Sequence, residues 1–469
     1  MATPSDTADQ SSTLRTAFTG AYLLPTIILM LSIGNHATNV FVFSTVMPSA
    51  VADIGGQAYY SWATTFFIMA SIIGAATAPL VKATQGPRSA YVTAASVFGA
   101  GSLGCALAPD MAWMIAARVV QGAGGGLMVS LGFAVIAGLF PRSLWAKVLT
   151  LVSGVWGIAA LLGPVAGGLF AQAGFWRGAF WSLTLITAGL LIMALIAFPR
   201  RDSTGAGRIP ATPPFGRLSL LAASVLATSV SGTSATNFGA AALLATGMAG
   251  LVVTLLIDRR SNVPLLPVQA FTFGHPIGLG LWMIFLIAAA VSPVGVFIPL
   301  FVQVLHDVSP AYAGYFHAVQ ALAWTGAALM VASLTSRAIR RALIAGPAAV
   351  ATGLALLAVS LPGPSLVPVA VALLIAGGGV GLCWAHVSTT IMGAATDENR
   401  DRSSSAVHTV QLLGLAFGSA LAGVVVNLAG ARTSLQPDVI GTAAWVLFLL
   451  FAFSGVFAAI AGTALGKYR

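Results

Sequence analysis

Apolar tracts of about twenty residues or more, separated by short polar breaks, run through this chain from end to end. They fall at 22–50, 58–80, 89–108, 111–139, 145–172 and 178–198, then, after a polar linker, at 218–235 and 238–257. Six more follow at 277–305, 310–334, 342–361, 366–395, 404–430 and 440–465. A helix of about 20 residues crosses a hydrocarbon core of ~30 Å. Helices and closed barrels alone satisfy every backbone polar group in lipid. The stretch 218–257 is interrupted only by the patch TSVSGTSATN. As one helix it would be about 60 Å long, twice the bilayer core, so two spans joined by a tight turn fit better. The pattern predicts an all-α polytopic membrane protein with fourteen transmembrane helices.

The tracts divide the chain further. A polar tail (1–21) precedes six spans (22–198), a linker (199–217), a helix pair (218–257), a second linker (258–276) and six more spans (277–465). The tract after the tail is too long for the core of a cleavable signal and reads as a first span. An internal echo supports two halves. QGAGGGLMVSLGF in the fourth tract parallels LIAGGGVGLCWAH in the twelfth, and Gly163, Gly167 and Gly168 parallel Gly418, Ala422 and Gly423. Repeated bundles of this kind enclose a substrate site near the midplane and rock to expose it alternately.

Composition sharpens the class: 58% of residues are hydrophobic, 7% are charged, and the mean hydropathy is +0.95. Soluble domains are about a quarter charged. The net charge of +10 needs no nucleic-acid partner. With the N-terminus inside, eighteen of the twenty-one Lys and Arg fall on the cytoplasmic side, leaving Arg177 and Arg432 opposite and Arg118 in the membrane. That asymmetry predicts a multi-pass plasma-membrane protein (the inner membrane in a bacterium) with both termini cytoplasmic. Cys105 and Cys383 are isolated in apolar surroundings and suggest neither disulfide nor metal. With no nucleotide-binding loop or hydrolytic constellation, the expectation is neither an enzyme nor a primary pump, with no cofactor.

The polar exceptions carry the candidate chemistry. SIGNHATNVF lies in a run without charge from Arg15 to Asp53, and its Ser32, Asn35, His36 and Asn39 share one helix face. Such a face lines a watery cavity or binds a neighbouring helix. Arg118 is the one fixed charge deep in a span, and the eleven acids lie in loops, tails or span ends. Its expected partners are carbonyls, Asn or Gln side chains, or the substrate. His36, His317, His386 and His408 lie in or near spans, where imidazole can carry protons near neutral pH. Trp62, Trp156, Trp324 and Trp384 could wall a cavity for planar amphiphiles or serve as packing.

Five motifs, in order, give the chain a resemblance. Arg118-Val-Val-Gln121-Gly122, Gly163-Pro164-Val-Ala-Gly167-Gly168, Trp176-Arg177-Gly-Ala-Phe180, Asp258-Arg-Arg-Ser-Asn-Val-Pro264-Leu-Leu and Gln303 are similar to signatures of the major facilitator superfamily, in its fourteen-span drug:proton antiporter branch. Two departures stand out. The loop motif after the second span keeps only Gly86 and Arg88, with Pro79, Ala83 and Thr84 replacing its Gly, Asp and Arg; aligning on Pro48 puts Asn39 where the first-helix acid stands.

The resemblance implies a major facilitator fold of two six-helix bundles plus an inserted pair. The implied activity is export of small, drug-like amphipathic molecules by alternating access in exchange for protons, by a monomer in the lipid bilayer. Candidate cavity residues are Ser32, Asn35, His36, Asn39, Trp62, Gln121, Trp156, Gln303, Trp384 and His386. Candidates for proton coupling are His36, Arg118, His317 and His386; the conformational motifs are Gly86, Arg88, Gly163, Pro164, Gly167 and Gly168. An importer or uniporter of a metabolite or organic anion, and a non-transporting sensor on the same fold, remain open.

Overall fold

The computed structural model describes residues 18–139, 142–197, 214–261, 264–331, 336–395 and 400–468. Most of the predicted tail and of the first linker lies outside them. Among the described residues there are thirteen α-helices. The first five are α1 (Leu23–Ile54), α2 (Trp62–Ala106), α3 (Met111–Leu139), α4 (Arg142–Gln172) and α5 (Arg177–Ala197). Then come α6 (Phe215–Ser231) and α7 (Asn237–Arg259). The last six are α8 (Pro276–His306), α9 (Pro310–Met330), α10 (Ser336–Ser360), α11 (Leu366–Gly393), α12 (Arg400–Val426) and α13 (Pro437–Leu465). Among the described residues, eleven stretches are long and apolar enough to cross a membrane.

Over the second and third predicted tracts lies α2, whose 45 residues are two helices meeting at a kink at Gly86. It is not one rod. Gly86 has φ +78° and ψ 165°, a left-handed-side conformation open to glycine, and Pro87 follows. The contacts with α3 give the direction of each half. Going up the first half, Phe67 meets Gly122 and Ser71 meets Gly126; going up the second, Phe98 meets Gly124, Gly101 meets Gln121 and Gly104 meets Ala117. The first half therefore runs with α3 and the second against it, so the chain reverses at Gly86. The GAGGG run lets α3 wedge between them: a Cβ on Gly122, Gly124 or Gly126 would stand 2.2, 2.2 or 1.9 Å from opposing backbone atoms.

Helix starts follow local chemistry. Pro276, Pro310 and Pro437 open α8, α9 and α13, where their missing N–H costs nothing. Thr236, the last hydroxyl of TSVSGTSATN, accepts a hydrogen bond from Gly239 N (3.1 Å) and caps α7. Residues 232–236 of the patch form the turn, while Thr228–Ser231 still belong to α6 and Asn237 opens α7. Helices α6 and α7 pack through Gly247 and Gly250 against Thr228 and Ser224. The pair leans on the rest through Leu218, Leu221 and Val225, which cluster with Met69 and Ile72 of α2 and Leu413 and Phe417 of α12. Arg432 donates to the carbonyls of Thr233 and Ser234 (3.1 and 3.2 Å).

The Asp258 motif ties the base of this hairpin. The Asp258 carboxylate is ion-paired with Arg217 and accepts from Leu265 N (2.9 Å) and Leu266 N (3.0 Å). At 3% exposure it cannot shed those donors into water. Removing one partner of a buried pair costs about 3–5 kcal/mol. Asp258→Ala is thus expected to lower the melting temperature of the purified protein clearly, while flux per folded molecule stays near normal; an unchanged melt would remove this role.

Helices α1–α5 pack mainly on one another, as do α8–α13. The two groups meet along a seam at the end that carries Asp53. There Thr65 and Ser419 hydroxyls bond (2.7 Å), Asn427 Nδ2 donates to Ala58 O (2.7 Å), and the Tyr60 and Phe297 rings stack at 5.4 Å. Gly423 faces Ser61, Gly314 faces Thr45 and Pro164, and Gly168 faces Ala311.

Candidate functional site

The polar face of α1 divides between sealed and open surroundings. Ser32 is fully buried and its hydroxyl donates to Ile28 O (2.5 Å) in its own helix. Asn35 Nδ2 donates to Thr187 Oγ1 on α5 (2.8 Å). Asn39 Oδ1 accepts from Arg118 on α3 (3.2 Å). The vestibule expected along all four side chains is corrected here: these three are enclosed within the first helix group, because α3 and α5 approach α1 closely enough to cover them. His36 is the exception, being only half-buried. Its ring stacks on Phe67 (centroids 5.7 Å, 26°) and meets the edge of Trp156 at 6.3 Å. Gly125 leaves it room, since a Cβ there would stand 2.8 Å from Nδ1. Trp156 is 40% exposed, so this pair borders open space.

Behind them lies Arg118, 1% exposed. Nε donates to Ala63 O (3.2 Å), while Nη1 donates to Asn39 Oδ1 (3.2 Å) and Gln121 Oε1 (2.5 Å). The guanidinium lies between the rings of Phe43 and Phe67, at 3.9 and 3.8 Å from their centroids. A desolvated cation over an aromatic face is stabilised by about 2 kcal/mol or more. Gln121 is wholly buried and passes the network on to Ser102 Oγ (2.8 Å), so it supports Arg118 instead of lining a cavity. The two phenylalanines are functional candidates that reading the sequence missed, as nothing marks them among 25 such residues.

Elsewhere the predicted residues scatter. Trp62 packs with Tyr59 (4.9 Å) and Phe66 (5.7 Å) in a lateral groove of about 580 Å³ that Leu226 of α6 also lines, away from His36. Gln303 donates to Pro299 O within its own helix (2.9 Å). Trp384 and Trp324 pair at 5.3 Å on α11 and α9, and His386 is 7% exposed, with its carbonyl accepting from Thr390 (2.6 Å). His317 stands in the seam: its Nδ1 is 3.2 Å from Ser44 Oγ and its ring is 5.0 Å from that of Phe41, both on α1.

The motif glycines are contacts. A Cβ on Gly163 would stand 2.6 Å from the Cβ of Phe41, on Gly167 3.2 Å from that of Thr45, and on Gly168 2.1 Å from that of Ala311. Helix α4 thus presses on α1 and, across the seam, on α9. Trp176 and Arg177 lock the same end: Asp53 pairs with Arg177 (2.5 Å) and accepts from Trp176 Nε1 (3.1 Å), while Arg177 Nη2 reaches Ala108 O (2.8 Å). Gly86 turns the chain, as described, and Arg88 beside it is half-buried.

A transporter of Mycobacterium tuberculosis described as a probable multidrug-efflux transporter is 37% identical over 94% of this chain and 95% of its own. The multidrug transporter protein MdtP of Bacillus subtilis is 24% identical over 82% of this chain and 72% of its own. Among solved structures, the xylose transporter XylE from E. coli, in a partially occluded inward-open conformation, superposes with a TM-score of 0.60. It is 16% identical over 93% of this chain and 97% of its own, a likeness of fold alone. The family model described as Major Facilitator Superfamily matches residues 29–419. The arginine-centred helix core, the small-residue seam and this match together make the chain a member of the Major Facilitator Superfamily.

Proposed function

We propose that this protein exports small amphipathic, drug-like molecules across the plasma membrane by alternating access, in exchange for protons. In this reading it has fourteen crossings in two six-helix halves with α6 and α7 inserted between them, and both termini are cytoplasmic. The carrying observation is the one-ended seam. The polar and glycine contacts between the halves gather at the Asp53 end, whereas the aromatic pairs His36–Trp156 and Trp324–Trp384 lie farther along. With the positive charges inside, the closed end is the outer one and the molecule is open to the cytoplasm, ready to load an exported substrate. The names of the relatives at 37% and 24% identity favour drugs as cargo and efflux as direction.

Reconstituted vesicles with an imposed pH gradient and a panel of fluorescent amphiphiles test the reading. Dye should leave the cytoplasmic face when the opposite compartment is acid; flux in the reverse direction, or flux unchanged on collapsing the gradient, would replace it with an importer or a uniporter. Within this scheme His36 carries a proton at the edge of the vestibule. His36→Ala is expected to cut gradient-driven flux about a hundredfold, the cost of losing one positioned proton-transfer group at the lower end, while dye affinity changes little. Equal losses in both would make His36 a substrate contact.

A further inference from the structure

The core around Arg118 carries a positive charge that the protein does not neutralise. Among the described residues the two salt bridges are Arg177–Asp53 and Arg217–Asp258, and neither touches Arg118. Its guanidinium uses Nε and Nη1, and among the described residues no acceptor meets Nη2. Beside it, the Asn39 amide gives its oxygen to Nη1 while Nδ2, with no exposure to solvent, donates to nothing. One turn earlier on the same face, His36 Nδ1 is also buried and without a hydrogen-bond partner. The unmet Asn39 N–H thus belongs to the same amide whose oxygen meets the uncompensated guanidinium. Buried donors of this sort are rarely left unmet, and a lone buried charge is costlier still.

We propose that this core binds one halide ion, chloride in the cell, between the free edge of the Arg118 guanidinium and the Asn39 amide. The chemistry selects the occupant. A ligand here must be an acceptor only, because both groups donate; it must be negative, because the site is a desolvated cation; and it must be small. Size is limited by enclosure: Arg118 and Asn39 are 1% and 0% exposed, and Phe43 and Phe67 cover the guanidinium at 3.9 and 3.8 Å. A monatomic anion meets all three demands. Water is small and can accept, but it also donates and leaves the charge unbalanced. The ion then joins α1 to α3 as an internal carboxylate would, which gives Asn39→Asp a specific meaning: it builds the negative charge into the chain.

This inference does not depend on the efflux reading, and its test reads binding instead of flux. Full-length protein is purified in detergent and melted in sodium chloride, sodium bromide or sodium gluconate at equal ionic strength. Chloride and bromide are expected to raise the melting temperature saturably, by about 1.5 °C at ten times the dissociation constant, relative to gluconate. Asn39→Asp should melt at the same temperature in all three salts. Chlorine NMR line width supplies a second readout on the wild type: added protein should broaden the chloride line, and bromide should reverse it. Identical melts in chloride and gluconate together with an unbroadened line would overturn the proposal. So would an Asn39→Asp protein that keeps the full halide response, and should that variant not fold, the wild-type line width alone decides.

Discussion

Gly168→Leu is expected to reduce transport to background, and to do so by prying the halves apart. The position has no room: even a Cβ would lie 2.1 Å from the Cβ and 2.2 Å from the Cα of Ala311 across the seam. Backbone cannot yield as a flexible side-chain tip can, so α4 and α9 must separate and the closed end must open. The predicted signature is conformational. In a Thr65→Cys background, the thiol should be shielded when Gly168 is present, since Thr65 is fully buried against Ser419. It should react with an impermeant maleimide added outside when Gly168 is leucine. Gly157, on the same helix with nothing within 4 Å, serves as the control, and Gly157→Leu should keep the label out. Normal transport by Gly168→Leu, with the thiol still shielded, would mean that the seam is not the gate.

Arg118→Lys should lose transport by at least about thirty-fold although the charge is retained. The fork of the guanidinium reaches three oxygens at once, on Ala63, Asn39 and Gln121, while its plane lies between Phe43 and Phe67. An ammonium is a point charge that can neither stack nor bridge in that way. Loss of about 2 kcal/mol from the stacking alone corresponds to a factor near thirty. Phe67→Leu should give a smaller deficit of the same kind, because Phe67 also supports the His36 ring. Measuring initial flux on protein matched for folded amount separates this from loss of expression. If lysine proves as good as arginine, charge is the whole requirement and the aromatic sandwich is only packing.

The Gly168 and Arg118 predictions draw differently on sequence and structure. The Gly-Pro-x-x-Gly-Gly run could be read from its letters as a place of close approach, because glycine removes a side chain wherever it stands. The surface it approaches could not be read, since Ala311 is 143 positions away and belongs to the other helix group. Arg118 was legible as an intramembrane charge without an acid nearby in sequence. Its aromatic neighbours were not, as Phe43 and Phe67 look like any other apolar residue in a span. Likewise α2 reads as two tracts because Lys82, Gln85 and Arg88 break the hydropathy, and the structure adds how they join: the positive φ of Gly86 turns the second helix back along α3.

What the amino-acid order determined by itself is what lipid and helical period dictate: that the chain is a series of apolar membrane-spanning helices, and that Ser32, Asn35, His36 and Asn39 share a face. Tertiary structure decided what each of those side chains meets. Ser32, Asn35 and Asn39 are covered by helix contacts and hydrogen bonds while His36 is left at an open edge. The reason is geometric. Periodicity sets the direction of a side chain relative to its own helix axis, but the identity and distance of the opposing surface depend on how separate helices pack, and that is settled by glycines and bulky residues far apart in the chain.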